Sequence, residues 1–124
     1  MRLLLDTHVL LWWLSAQRLK PKAAAAIASV DADVWVSAAT IWEMSIKSGL
    51  GKLDVPDDLP DQLLRHAFDV LPIKLPHALA VRKLPPHHAD PFDRMLVAQA
   101  QLEDLVVVTR DANIRRYDVP TISA

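Results

Sequence analysis

The sequence predicts an α/β protein in which helices cover both faces of a mainly parallel sheet, a three-layer α/β/α arrangement. Short apolar runs rich in β-branched residues alternate along the chain with segments whose apolar residues recur at helical spacing. Strands that are separated by helices pair in parallel and are joined by right-handed crossovers. With 124 residues, 52% of them hydrophobic, residues 1–124 are predicted to form a single domain with its own buried core.

The elements of the first half follow from local signals in chain order. The first apolar run stops at Asp6 and gives way to apolar residues at helical spacing, and Pro21 starts an alanine-rich helix. Ser37 and Thr40 are candidate N-caps after the second apolar run. The predicted elements are a strand over 2–5, helices over 9–14 and 22–29, a strand over 34–36, helices over 38–48 and 61–68, and a strand over 70–73.

In the second half, a proline-rich loop over residues 85–91 separates two predicted helices. The first helix covers residues 76–84, and the second covers 92–102, where Met95, Leu96, Gln99 and Leu102 fall at helical spacing. Residues 105–109 are the strongest strand signal in the chain, and residues 119–122 form a weaker last strand. Strands and helices therefore alternate along almost the whole chain.

Composition excludes several classes of protein. The 14 Lys and Arg residues are balanced by 15 Asp and Glu residues. This composition excludes a protein that binds nucleic acid through a high net positive charge. The absence of cysteine excludes disulfides and cysteine-ligated zinc. Asp6 and His8 interrupt the only long apolar stretch, so neither a membrane span nor a secretory signal is expected. We therefore expect a cytoplasmic protein with no membrane partner.

Four acidic residues occupy the positions where an open α/β sheet places its ligands. They are Asp6, Glu43, Asp93 and Asp111. Ligands of such sheets bind outside the carboxyl ends of the strands, so one shared pocket is predicted for all four carboxylates. Carboxylates in contact repel one another by about 4 kcal/mol per pair at an effective dielectric near 20. A divalent cation relieves that repulsion, and all-oxygen ligands indicate magnesium or manganese in preference to zinc.

The segments around these acids resemble the four acidic blocks of the PIN-domain ribonucleases, in the VapC-like branch of toxins from type II toxin–antitoxin systems. The matching segments are Leu3-Leu4-Leu5-Asp6-Thr7-His8, residues 37–43, Asp90-Pro91-Phe92-Asp93-Arg94-Met95-Leu96-Val97-Ala98-Gln99-Ala100, and Val108-Thr109-Arg110-Asp111. The resemblance spans nearly the whole chain. It implies a sheet of about five parallel strands and an endoribonuclease that depends on Mg²⁺ or Mn²⁺. It also implies an RNA substrate, a cognate antitoxin that neutralises the protein, and a homodimer.

The resemblance carries site roles over to individual positions. Asp6, Glu43, Asp93 and Asp111 match the acids that hold the metal and serve catalysis, and Thr7 and Thr109 match hydroxyl residues beside the first and fourth acids. Two alternatives stay open from the residues themselves. Asp90 competes with Asp93, although Pro91 makes Asp90 the more natural helix N-cap. Asp118 competes with Asp111, which lies nearer the predicted strand.

Other polar side chains have weaker signals for function. Positive side chains near the acids are expected to contact phosphate: Arg94, Arg110, Arg115, Arg116, Lys47 and Lys52. His8 follows Thr7 and is expected to have a structural or substrate-side role. His87 and His88 lie in the proline-rich loop, and we expect them to be solvated and not to bind metal. Trp13 and Trp35 are expected in the core, whereas Trp12 and Trp42 are expected to face a partner, with the first two helices as the antitoxin surface.

Three alternative functions follow from the same pattern. A PIN-like domain that has lost catalysis would act as a binding or assembly module, but all four acids are present. A phosphoacceptor receiver would need paired acids after the first strand and a lysine after the last, and this chain has neither. A phosphatase of the haloacid dehalogenase type would need a second Asp two residues after Asp6, where His8 stands. The metal-dependent endoribonuclease is therefore the function that the sequence favours.

Overall fold

A computed structural model describes all 124 residues and contains one five-stranded sheet in the order β3-β2-β1-β4-β5. The strands are β1 (Arg2–Leu5), β2 (Asp33–Ser37), β3 (Asp69–Leu71), β4 (Val106–Thr109) and β5 (Thr121–Ser123). All four strand pairs are parallel. The predicted α/β/α class is confirmed, and the sheet is wholly and not only mainly parallel.

Six α-helices and two short 3-10 turns connect the strands. The helices are α1 (Thr7–Leu14), α2 (Pro21–Ala28), α3 (Ala38–Gly49), α4 (Leu59–Arg65), α5 (Leu75–Ala80) and α6 (Pro91–Glu103), and the turns are Val81–Lys83 and Ile114–Arg116. All the predicted elements are present. The helix predicted over 76–84 divides into α5 and the first turn, and β3 ends before Pro72, which has no N–H for a strand ladder.

The two faces of β1 are buried in two different cores, which explains the three layers. Leu3 and Leu5 point into one apolar cluster with α1, α2 and α4, and Leu4 points into another with α6. All three leucines are fully buried. A strand that is buried on both faces reads as a continuous apolar run, as residues 3–5 do.

Three helices begin at polar side chains that accept hydrogen bonds from the first helical N–H groups. Asp6 caps α1, Ser37 caps α3 and Asp90 caps α6. Thr40, the other candidate cap, lies within α3 and is buried. The prediction for Thr40 is therefore wrong, because the helix already begins at Ser37. Asp6 directly follows β1 and Ser37 is the last residue of β2, so these caps are at the carboxyl edge of the sheet.

A buried polar network ties this edge of the sheet to α5 and α6. The Ser37 hydroxyl accepts from the Ala39 N–H at 3.0 Å and donates to Gln99 Oε1. The Gln99 amide donates to the Pro72 carbonyl at 3.1 Å, and His77 Nε2 lies 2.9 Å from Glu103 Oε1. Because buried polar groups are costly without partners, this network specifies how α6 packs beside the sheet.

None of the helices is both long and apolar enough to cross a membrane.

We expect Ser37→Ala to lower the free energy of unfolding by about 1–3 kcal/mol, because it removes a helix cap and leaves the buried Gln99 oxygen without its donor. Urea denaturation measures the change. Ser45→Ala is the matched control, since the exposed Ser45 hydroxyl donates only to the Ile41 carbonyl of its own helix. Equal losses in the two variants would contradict a special role for the buried network.

Candidate metal centre

The sequence predicts one shared pocket for four acids, and all four line a single cavity of about 350 Å³ at the carboxyl edge of the sheet. The lining residues are Asp6, His8, Trp12, Glu43, Lys47, Asp90, Asp93, Arg110 and Asp111. They come from α1, α3, the start of α6, and the ends of β1 and β4. Residues far apart in sequence meet here because parallel strands end at one edge of the sheet.

Asp6 joins the first and last acidic segments. Its Oδ1 accepts from the His8 N–H at 3.0 Å, and its Oδ2 accepts from the Thr109 hydroxyl at 2.6 Å. Burial raises the pKa of Asp6 above its usual value, although both hydrogen bonds act in the opposite direction. The carboxylate is thus fixed in orientation.

Glu43 is buried in α3 and is held by two side chains. The Thr7 hydroxyl donates to Oε1 at 2.8 Å, and Lys47 donates to Oε2 at 2.5 Å. The hydrogen bond to Glu43 is the main cause that raises the pKa of Lys47. The Lys47 ammonium is thus paired with Glu43 at the cavity, and its expected contact with phosphate stays a prediction.

Asp90 and Asp93 lie at the start of α6 and have different surroundings. Asp90 Oδ1 accepts from the Phe92 and Asp93 N–H groups at 2.8 and 3.1 Å, as expected of an N-cap. Burial, together with the charges of Asp6, Asp90 and Glu43, raises the pKa of Asp93 to about 7. Asp93 is thus the carboxylate of the cavity that most needs a cation.

Asp111 is in the cavity and contacts a residue that the sequence analysis did not place there. Its Oδ1 accepts from the Asn113 N–H at 2.7 Å, and its Oδ2 lies 2.9 Å from His88 Nε2. The same His88 nitrogen is 3.0 Å from Asp93 Oδ2. Burial opposes the shift, but the His88 hydrogen bond and backbone N–H groups lower the pKa of Asp111.

The expectation that His88 is solvated is therefore wrong. Its side chain is only 15% exposed, between Asp93 and Asp111. Burial lowers the pKa of His88, but the Asp111 hydrogen bond and the charges of Asp93, Asp111 and Asp90 outweigh it and raise the pKa. The one signal in the sequence was that His88 precedes the N-cap Asp90 by two residues. The distance to Asp111 could not be read from spacing.

Several predicted site residues lie elsewhere or have other partners. Asp118 is exposed and does not line the cavity, so Asp111 is the acid of the fourth segment that reaches it. Arg94 donates to the Pro85, Val81 and Leu84 carbonyls, which corrects its expected phosphate role. Arg110 lines the cavity but donates to the Ala124 and Arg18 carbonyls. The remaining predicted phosphate contacts, Arg115, Arg116 and Lys52, are exposed.

The aromatic residues divide between the core, the cavity and the surface. Trp13 contacts Phe68 and donates to His66, and Trp35 packs against the core on the α6 face. Trp12 lies under the Arg110 guanidinium at 3.9 Å and lines the cavity together with His8. Trp42 is 60% exposed.

The donor set fits a hard divalent cation. Five carboxylates surround the cavity, whereas Lys47 and Arg110 are the only lysine and arginine side chains that line it. Lys47 is already paired with Glu43. Burial and the neighbouring acids raise the pKa of Asp93 because these carboxylates have too little compensating charge, which a divalent cation would supply.

Comparisons with known proteins match the chain to a family and to a set of solved structures. The family model described as "PIN domain" matches residues 3–120. Structural similarity covers 98% of this chain and 98% of the matched chain in VapBC2 from Rickettsia felis bound to a DNA fragment from its promoter, with 12% identity and a TM-score of 0.71. It covers 99% and 98% for VapBC-1 from nontypeable Haemophilus influenzae, with 18% identity and a TM-score of 0.70. For DNA-bound VapBC from Salmonella typhimurium it covers 99% and 97%, with 18% identity and a TM-score of 0.68. The comparison with curated proteins found no match.

The raised pKa of Asp93 predicts how stability depends on pH in the presence of EDTA. A carboxyl in the unfolded chain loses its proton near pH 4, whereas folded Asp93 keeps its proton up to pH about 7. The folded state therefore binds more protons between these values, and stability falls as pH rises from about 4 to about 7. We expect the melting temperature of Asp93→Asn to fall less steeply than that of the wild type over this range.

Scanning calorimetry at several pH values in EDTA measures this difference. Asp118→Asn is the control, because this exposed acid lies outside the cavity and its replacement leaves the slope unchanged. An Asp93→Asn slope equal to that of the wild type would contradict the electrostatic account of the site.

Proposed function

The chain belongs to the PIN-domain family, and from this membership we propose that it is a VapC-like, metal-dependent endoribonuclease toxin neutralised by a cognate antitoxin. The observation that carries the proposal is the convergence of Asp6, Glu43, Asp93 and Asp111 on one cavity. Similarity to the VapBC structures supports the toxin assignment. We propose one domain over residues 1–124 that acts in the cytoplasm.

In the proposed mechanism, Asp6, Glu43, Asp93 and Asp111 would hold Mg²⁺ or Mn²⁺. A divalent cation held there would supply a water that ionises more readily and positive charge for the phosphodiester. Thr109 and Thr7 keep the carboxylates of Asp6 and Glu43 in fixed orientations, so the residues need little rearrangement to bind. Glu43 and Asp111 are the candidates for the carboxylate that orients the attacking water or accepts its proton.

The expected products follow from the use of water as the nucleophile. Because the RNA 2′-hydroxyl does not attack, cleavage leaves a 5′-phosphate and a 3′-hydroxyl. The cavity is open at the carboxyl edge of the sheet, and Trp12 and His8 also line a neighbouring cleft of about 410 Å³. The cleft gives a single RNA strand room beside the acids, and Trp12 offers an aromatic surface for a base.

Two protein partners belong to the proposal. We propose that an antitoxin segment covers the mouth of the cavity beside α1 and places a basic side chain among the acids, where it replaces the charge of the metal. We propose that a second copy of the chain packs against α3, α4 and β3. Trp42, Leu64 and Val70 are 60%, 77% and 46% exposed there, and β3 has a free edge. Exposed apolar surface beside an edge strand is characteristic of protein interfaces.

We expect Asp6→Asn, Glu43→Gln and Asp93→Asn each to lower RNA cleavage by at least about 100-fold. Loss of a group that only supports a metal ligand costs about 10- to 100-fold, and a ligand should cost more. Purified variants are assayed on RNA, with circular dichroism to verify the fold and sequencing of RNA 5′ ends after induced expression. Double variants should resemble the single ones, because the acids act as a unit.

Asp118→Asn is the matched control and should cleave as the wild type does. Full activity of Asp93→Asn would contradict the assignment, and an inactive Asp90→Asn beside it would transfer the ligand role to Asp90. A wild type that binds RNA without cleaving it would favour the catalytically silent module.

Two tryptophan variants distinguish the two proposed partner surfaces. We expect Trp12→Ala to weaken antitoxin binding by about 2 kcal/mol or more, as for a buried interface anchor, with the oligomeric state unchanged. We expect Trp42→Ala to shift the chain towards the monomer and to leave antitoxin affinity nearly unchanged. Calorimetry measures antitoxin affinity, and light scattering measures the oligomeric state. If Trp12→Ala instead produced the monomer and Trp42→Ala weakened antitoxin binding, the two surfaces would be assigned the wrong way round.

A further inference from the structure

His88 lies between two carboxylates of the candidate metal centre, and its ring presents one nitrogen to both. Nε2 is 2.9 Å from Asp111 Oδ2 and 3.0 Å from Asp93 Oδ2. Resting on the proposed function above, we propose that His88 is a positioning residue: its Nε2–H holds Asp93 and Asp111 together for the metal, and His88 is not itself a metal ligand.

The hydrogen bond at the other ring nitrogen decides which role His88 can have. Its Nδ1 accepts from the Asp90 backbone N–H at 3.1 Å, so Nδ1 carries no hydrogen in the neutral ring. The hydrogen of the neutral ring is therefore on Nε2, and the cationic ring carries one there as well. A nitrogen that carries a hydrogen has no lone pair for a metal. With Nδ1 accepting from the Asp90 N–H, Nε2 is thus a donor that faces two carboxylates.

The backbone around His88 is held from two other elements. Its own N–H donates to the Tyr117 hydroxyl at 3.0 Å, and the same hydroxyl accepts from Arg94 at 3.1 Å. The Arg94 guanidinium also donates to carbonyls of the segment that leads into this loop, including Pro85. These contacts place the imidazole before any metal arrives. Arg94, expected to contact phosphate, acts here as an anchor of the loop.

Asp111 shows why such a donor is needed. It follows β4, whereas Asp93 lies in the first turn of α6, so no backbone contact within one element sets the distance between them. Two carboxylates whose oxygens both lie within 3.0 Å of one nitrogen would repel each other without an intervening hydrogen. The Asn113 N–H holds only the other oxygen of Asp111. Without His88, Asp111 is free to rotate away from Asp93, and the metal loses a preorganised pair.

The test compares two replacements of His88 in the full chain. Glutamine places an amide N–H near the position of Nε2, whereas leucine fills the space without a donor. We expect His88→Leu to weaken Mn²⁺ binding, measured by calorimetry, by about 10- to 100-fold, the usual cost of losing an outer-shell partner. We expect His88→Gln to bind Mn²⁺ within a few-fold of the wild type. His87→Gln and His87→Leu are the matched controls, because His87 packs on Tyr117 and does not line the cavity.

Two spectroscopic measurements separate positioning from ligation. Pulsed electron paramagnetic resonance of the Mn²⁺-loaded wild type should show no directly coordinated ¹⁴N. In the metal-free protein, ¹⁵N nuclear magnetic resonance should show a hydrogen on His88 Nε2 and none on Nδ1 in the neutral ring.

Coordinated nitrogen in the wild type, or a neutral ring with its hydrogen on Nδ1, would overturn the proposal in favour of ligation. Unchanged Mn²⁺ affinity in His88→Leu, or an affinity in His88→Gln as low as in His88→Leu, would overturn the donor role. A wild type with no affinity for Mn²⁺ would contradict the proposed function instead, and the ¹⁵N measurement would still decide the ring geometry.

Discussion

Repulsion among carboxylates at the carboxyl edge of the sheet is the constraint on which the rest of the site depends. The fold brings five acids to one cavity, and each pair in contact costs about 4 kcal/mol at an effective dielectric near 20. Four of the five acids accordingly have partners of their own within the protein. Thr109 donates to Asp6, Lys47 and Thr7 donate to Glu43, and backbone N–H groups donate to Asp90 and Asp111.

These partners relieve the repulsion more at some acids than at others, and a cation is needed most where the relief is smallest. Asp111 has a lowered pKa because donors surround it, whereas Asp93 has a pKa of about 7 because burial and neighbouring acids dominate. His88 Nε2 contacts both carboxylates, so Asp111, whose pKa is lowered, and Asp93, whose pKa is raised, share one hydrogen-bond donor. Preorganisation of the site is therefore concentrated on this pair.

The sequence was sufficient to predict the order of strands and helices and the four acids of the cavity, because each depends on local signals. Apolar runs specify the strands. Asp6 and Asp111 follow a strand and Asp93 lies in the first turn of a helix, which places them at the carboxyl edge, and Glu43 lies in the helix that follows β2. The roles of Arg94 and His88 were missed because each depends on a partner from another element, such as Asp111 for His88, and spacing along the chain carries no information on that distance. Lys47 differs, since it pairs with Glu43 four residues earlier in α3, a helical spacing that is visible in the sequence.

The pairing of β1 with β4 has a consequence for synthesis of the chain. Leu5 pairs in register with Val108, so Asp6 meets Thr109 and Asp111 only after almost the entire sequence has been translated. At about 5–20 residues per second, a ribosome needs roughly 5–20 seconds to make that stretch. During that interval the nascent chain has no assembled acidic cavity. A chain of this topology therefore cannot assemble the cavity before β4 has been made, and any chemistry of that cavity belongs to the finished fold.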